Sequence, residues 1–332
     1  MHLTLILLVL LVLLVVPTST FNISPSPKPS TLLSSGFGKP SSLPPTLKIS
    51  VDSKTTKFLK SLPPQKSTSL ATIKPQNYRG IVALKNIKKG DPIIAIPYTS
   101  AIDLGTETVD PLPPALKLKE MIESGEIDKS YVDVLPSIDS EDYKNVYSCW
   151  SEEERLSLGF EFLETEANLL KARLPADDVL YYIFLITSRV LTVQNGEGEG
   201  KKLLIPYLDM CNHDEDSVHV LTGVAAEGKS LKVIAGKDVK VGEEITIKYG
   251  SGSEGVDVFL RDYGFDPCSK SCYKIFAQKV QKEIKMGLKN KGGLREEERR
   301  QIRENLKGEG GGERGERVRR EVGKCLDEID GW

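Results

Sequence analysis

Three short segments of this chain carry side chains suited to binding a ligand and acting on it. Leu204-Ile205-Pro206-Tyr207-Leu208-Asp209-Met210-Cys211-Asn212-His213 ends with an amide beside an imidazole. Gly242-Glu243-Glu244-Ile245-Thr246-Ile247-Lys248-Tyr249-Gly250 closes on a phenol, and Leu260-Arg261-Asp262-Tyr263-Gly264-Phe265 on two aromatic rings. Arg189 adds a guanidinium, the group best shaped to grip a carboxylate, and aromatic faces such as Tyr263 and Phe265 favour a cation. Singly, each residue has a duller reading. His213 would be a satisfied structural histidine, Tyr249 and Tyr263 core rings with a partnered hydroxyl, and Arg189 a surface charge. Their joint occurrence and order carry the information.

Several elements must position them. Ile81 to Leu84 and Ile93 to Ile96 read as short strands around the Lys89-Gly90-Asp91-Pro92 turn. Ser151 and Glu154 have capping-box spacing, and Leu156, Phe160, Leu163 and Leu170 predict a helix from Ser151 to Ala172. The three- and four-residue repeat of Val179, Leu180, Ile183, Phe184, Thr187, Val190 and Leu191 predicts another from Ala176 to Val193. Gly196 to Gly200 carries Glu197 and Glu199 and opens no helix, which argues for a surface loop and against a phosphate cradle. Leu203 to Pro206, Val218 to Ala226, Leu231 to Ala235 and Glu244 to Tyr249 read as strands, the middle two joined as a hairpin at Glu227-Gly228. Alternation of Ile245, Ile247 and Tyr249 puts the tyrosine on the inward face. The expected fold class is α+β with many short strands.

In order and spacing these motifs, with Ser188-Arg189 and Arg79-Gly80-Ile81-Val82-Ala83, resemble the SET domain of protein methyltransferases, specifically the subfamily of the Rubisco large-subunit lysine methyltransferase. The resemblance covers Asn77 to Phe265, with a helical insertion over about residues 110–174. It implies a pseudo-knot, S-adenosyl-L-methionine as cofactor, and lysine methylation of a non-histone protein. It further implies that Asn77, Tyr78, Arg79 and Gly80 hold one end of the cofactor, Asn212 and His213 its methionine part with Asp209 in support, and Arg189 its carboxylate. Phe265 would line the cofactor pocket, Tyr249 would be the catalytic tyrosine with its hydroxyl beside the methyl group in transit, and Tyr249 and Tyr263 would flank the substrate channel. The implied reaction is an in-line displacement that gains from orientation, with no side chain standing out as general base. A histidine acceptor, or a non-catalytic SET-fold binding module, are the alternatives.

The chain departs from the family at Tyr78, where a second glycine is usual, at Asp214 in place of serine, at Val256 in place of asparagine, and in lacking the long helical lobe after the domain. The substrate protein is therefore not inherited, and a plastid address would suggest Rubisco only as a guess. Residues 268–332 are dense in opposite charges and read as a charged helical or disordered tail. Glutamates among Arg314, Arg317, Arg319 and Arg320, and the lack of stacking aromatics, argue against nucleic acid.

At the other end, Leu3 to Val16 is apolar apart from Thr4, too short to span a bilayer but suited to a signal-peptide core over residues 1–20. Basic residues before it are missing, which leaves an uncleaved anchor open. Residues 21–72 are rich in Ser, Thr, Pro and Lys with Asp52 the only acid, the composition of a transit segment that forms no core. The pair resembles the two-part presequence of algae with secondary plastids; secretion with a disordered linker is the alternative. The domain is then expected over 73–267. Five cysteines at irregular spacing read as reduced, and Cys268 with Cys272 lacks the partners of a closed zinc site, so no metal is expected.

Overall fold

The computed structural model describes residues 51–73, 78–158, 160–289 and 312–328. Its strands form three small sheets. The sheet that matters for the site contains β1 (Thr68–Ile73), β2 (Tyr78–Ala83), β7 (Asn212–His213) and β10 (Glu244–Ile247), in the order β1-β2-β10-β7. β1 and β2 are antiparallel, pairing from Thr68↔Ala83 to Ile73↔Tyr78, and β10 lies antiparallel to β2 on its other side. β7 then joins β10 in parallel, with Thr246 opposite Asn212 and Ile247 opposite His213. The second sheet runs β3 (Pro92–Pro97), β9 (Ser230–Ile234), β8 (Val220–Thr222), and the third β4 (Ile102–Thr106), β6 (Gly200–Leu204), β5 (Val190–Gln194). β8 and β9 form the expected hairpin. The α+β expectation stands.

The fold begins earlier than expected. α1 (Ser53–Ser61) is capped by Asp52, whose carboxylate accepts from the Thr55 amide at 2.7 Å, and buries Phe58 completely. β1 pairs along its whole length, so part of the segment expected to be a disordered linker is structured. A strand of Thr, Ser, Leu, Ala and Ile has enough apolar alternation to be buried once a partner supplies its hydrogen bonds, which composition does not report.

The insertion holds α2 (Leu112–Glu123), α3 (Lys129–Val132), α4 (Glu141–Lys144), α5 (Glu152–Ser157) and α6 (Glu161–Ala172). The capping box at Ser151 and Glu154 forms as expected, but the predicted helix from Ser151 to Ala172 is two helices. The break falls between Ser157 and Glu161, and Arg155 reaches across it to Glu164 at 2.8 Å. α7 (Val179–Arg189) likewise stops short of Val193, and β5 starts at the next residue. Both are apolar, so the helical repeat ran on into β-branched residues that belong to a strand.

A second correction concerns the tail. α8 (Lys270–Lys289) and α9 (Gly312–Asp327) pack together, and Tyr273, Phe276, Ala277, Val280, Val318 and Val322 join Leu158, Phe160, Val256, Phe259 and Tyr263 in a second core. The apolar residues of the tail are few, but Tyr273, Phe276, Ala277 and Val280 have the spacing of one helical face. Charge density hid that stripe. Among the described residues no helix is long and apolar enough to cross a membrane, and no three His, Cys, Asp or Glu side chains stand together as a metal set.

Candidate functional site

The site grows from the parallel contact of β7 and β10, which sets Asn212 and His213 beside the strand that leads to Tyr249. Tyr249 follows β10 by two residues, and both its ends are tied back to the neighbouring segment. Its backbone amide donates to His213 Nδ1 at 3.0 Å, and its hydroxyl donates to the Cys211 carbonyl at 2.7 Å. Burial pushes the Tyr249 phenol well above its ordinary value, against the pull of Arg189, so the hydroxyl stays protonated.

Because Nδ1 of His213 accepts a hydrogen bond, the neutral ring carries its proton on Nε2. Burial lowers its pKa, in the same sense, although Asp214 and Glu215 oppose it. The ring sits 5.2 Å from Tyr249, 5.0 Å from Phe259 and 6.0 Å from Phe265, between centroids. Tyr263 stacks on Tyr249 at 4.8 Å and 30°. The last two rings and Phe259 lie on or beside a π-helical turn, Phe259–Tyr263, that ends at Gly264 in the left-handed region, φ 73°. A Cβ at Gly264 would lie 2.8 Å from the Asp142 carbonyl and 3.0 Å from backbone atoms of Asn145 and Val146, so the insertion leaves room for glycine alone.

Arg189, the last residue of α7, is largely withdrawn from solvent, its side chain 14% exposed, and is not a surface charge. It donates to the Asp209 carbonyl at 3.1 Å and to its Oδ2 at 3.3 Å. Tyr131, from α3, donates to the same Oδ2 at 2.9 Å. Arg79 belongs to the same field: burial lowers its pKa first, the like charge of Arg189 second, and Asp209 offsets them in part. Burial also raises Asp209, against Arg189, Tyr131 and Arg79. Of the two guanidiniums Arg189 alone contacts Asp209, Arg79 donating to the Val134 carbonyl at 2.5 Å, and Arg189 Nε and Asp209 Oδ1 are buried without hydrogen-bond partners. The bend that delivers Asp209 is strained: Tyr207 has φ 78° and ψ −51°, is fully buried, and is anchored through its hydroxyl to Thr68 Oγ1 at 2.9 Å.

On the sheet side, Asn212 Nδ2 donates to the Arg79 carbonyl and to Glu244 Oε1, both at 2.8 Å. Glu244 Oε2 accepts from the Tyr78 hydroxyl at 2.7 Å. Burial, then the Glu244 hydrogen bond and charge, push the Tyr78 phenol up to about 12. Tyr78 therefore holds Glu244 from the solvent side. A Cβ at Gly80 would meet Glu244 Oε1 and Ile73 Cδ1, each at 2.6 Å, so this glycine is required by the same clamp.

A small cavity of about 20 Å³ joins these parts, lined by Ser188, Arg189, Asp209, Cys211, Tyr249 and Tyr263 among others. It has room for one water or the tip of a narrow side chain. Arg79, Gly80, Asn212 and His213 lie on the sheet beside it, and Phe265 on the aromatic side. Asn77 lies outside the described residues. Glu244, Tyr131 and Phe259 were not singled out from sequence. The doubled acid Glu243-Glu244 gave no sign of which one turns inward, and Tyr131 meets Asp209 across 78 residues with no local signal.

The sequence profile of the SET domain matches residues 78–250. This chain belongs to the SET-domain family. It is similar to the SET domain of LSMT solved with lysine and AdoHcy, at TM-score 0.49 and 19% identity over 65% of this chain and 57% of that one. It is also similar to Rubisco LSMT solved with AdoMet, at TM-score 0.46 and 20% identity over 69% of this chain and 58% of the other. The match spans less than two thirds of either solved chain. Among curated protein sequences none matches.

Proposed function

We propose that this chain is an S-adenosylmethionine-dependent methyltransferase acting on the lysine side chain of a non-histone protein. The observation that carries the proposal is the parallel pairing of Asn212-His213 with the strand before Tyr249, which gathers the phenol, the Cys211 carbonyl, the Arg189-Asp209 pair and Tyr263 around one narrow cavity.

The residues suit the cofactor. Arg79 and Arg189 set two positive charges near Asp209 and Asp142, and Arg189 Nε, an unused buried donor, can take up the carboxylate of a methionine moiety. The rings of His213, Phe259, Tyr263 and Phe265 offer faces to a sulfonium. Bound there, the cofactor supplies a methyl group on positively charged sulfur, open to displacement by an amine. The protein's part is to orient the amine. Tyr249 is too strongly held in its neutral form to act as a base; its hydroxyl oxygen and the Cys211 carbonyl present acceptors that can steer an amine and a polarised methyl. The apolar surroundings favour the uncharged amine, the form that attacks.

A plastid address through a signal peptide and transit segment stays part of the proposal. It rests on the composition of the first fifty or so residues, which lie outside those described, and tagging the full chain in an alga with secondary plastids would test it. The enzymatic proposal is tested by titrating the full chain with S-adenosylmethionine in a calorimeter, then incubating it with labelled cofactor and candidate proteins. Saturable binding and label recovered as methyllysine support it; a folded protein that does not bind the cofactor points to a binding module, and label in methylhistidine changes the acceptor.

A further inference from the structure

A second cavity shares only Thr187 and Val190 with the one at Tyr249. It encloses about 560 Å³ between α6, α7 and the third sheet, within the range of small-molecule sites of about 300–1,000 Å³. Its walls are mostly apolar, with Val146, Leu163, Ala167, Ile183 and Phe184 prominent.

The charged residues around it are nearly all spoken for. Arg173 pairs with Asp110 at 2.5 Å. Arg261 is held twice by Asp262 at 2.8 Å and lies 3.6 Å from Glu166, whose Oε2 is buried without a hydrogen-bond partner but keeps that ion pair. Lys202 is the exception. It stands on β6, it is 6% exposed, and its ammonium makes no hydrogen bond or ion pair among the described residues. Burial lowers its pKa, with only the longer-range field of Glu107 to oppose this. Thr192 is its directly paired neighbour on β5, so the two side chains share a face, and the Thr192 hydroxyl is also buried without a partner.

A cation held among apolar groups without a direct partner is costly unless something compensates it. The cavity beside it has an apolar body and, at Lys202, one lining cation without a direct partner. We infer that this cavity binds a small amphipathic monocarboxylate, an apolar chain ending in one carboxylate that pairs with Lys202. A zwitterion or a cation would place positive charge against the ammonium, and a wholly apolar ligand would leave it uncompensated.

The experiment uses the full chain and three ten-carbon probes: decanoate, decanol and decylammonium. Titration calorimetry is expected to show saturable one-to-one binding of decanoate, weaker binding of decanol, and weaker still of decylammonium. Lys202→Met keeps the stem and removes the charge, and should weaken decanoate by about tenfold or more, as expected for loss of a charge-assisted contact, while leaving decanol nearly unchanged. Lys202→Arg should restore decanoate binding, and Ala167→Phe, which fills the apolar wall, should weaken all three. The inference is overturned if folded protein does not bind decanoate, if decylammonium binds as well, or if Lys202→Met binds decanoate unchanged. Should a variant fail to fold, the ranking of the three probes on the unaltered chain decides. Methyl transfer is not the readout, so failure here leaves the methyltransferase proposal standing.

Discussion

The backbone amide of Tyr249 is hydrogen-bonded to the imidazole of His213, N to Nδ1, at 3.0 Å. The histidine therefore serves as an acceptor that fixes the position of the tyrosine, and must be neutral to do so. Its folded pKa lies below the ordinary 6.5, so the unfolded chain takes up the proton first as pH falls. The stabilisation is fully present above pH 6.5 and declines as pH drops below it, toward the folded value. His219, lowered by burial and Lys237, adds a slope of the same sign. Melting temperature followed through this range should fall with pH, and His213→Gln should flatten part of the fall and leave the part due to His219. An unchanged profile in the variant would show that His213 does not titrate on unfolding.

Tyr249→Phe removes the hydroxyl bond to Cys211 and one acceptor at the cavity. We expect a stability loss of about 1 kcal/mol and a drop in methyl transfer on the order of a hundredfold, because an orienting contact at the reacting atoms is lost. The cofactor dissociation constant should move little. Parallel loss of binding and turnover would assign the residue a structural task instead.

Asn212→Ala frees the Arg79 carbonyl and one oxygen of Glu244. A cost of about 1–3 kcal/mol in unfolding free energy follows from stranding those acceptors, together with weaker cofactor binding. Gly80→Ala should perturb the same clamp from the other side, since its Cβ would fall 2.6 Å from Glu244 Oε1. If calorimetry gives the same cofactor affinity for Asn212→Ala as for the parent, the Asn212 assignment is wrong.

Gly264→Ala combines a left-handed backbone with overlap against the Asp142 carbonyl. Left-handed geometry costs an L-residue roughly 1–2 kcal/mol, and overpacking against rigid backbone typically about 1–3 kcal/mol more. Denaturant unfolding should report a sum in that range.

Phe276→Ala tests whether the tail belongs to the folded unit. Phe276 is fully buried and contacts Phe160 at 4.8 Å and Phe162 at 5.7 Å between centroids. A loss of about 3–5 kcal/mol is expected for a buried phenylalanine. A change under about 0.5 kcal/mol, the size usual for surface positions, would mean the tail is not docked in solution.

The legible parts of the site were those written locally. The alternation of Ile245, Ile247 and Tyr249 announced a strand, and Asn212-His213 announced itself by its company. Tyr263 and Phe265, both singled out from sequence, lie in one aromatic group with centroids 6.0 Å apart. What stayed hidden depended on distant partners. Arg189 was singled out as a grip for the cofactor carboxylate, but nothing local announced its bond to Asp209, twenty residues on. Tyr78 looked like a missing glycine, and proves to be the residue whose hydroxyl holds Glu244. β1 and the two tail helices had too few apolar residues for composition to register them, though enough at the right spacing for burial.

The passage from α7 to β5 needs no loop: Arg189 ends the helix and Val190 begins the strand. Thr187 and Val190 face both the narrow cavity at Tyr249 and the larger one at Lys202. The two chambers therefore have these two side chains in common as parts of their walls, and whatever enters the larger room leans on residues that frame the smaller.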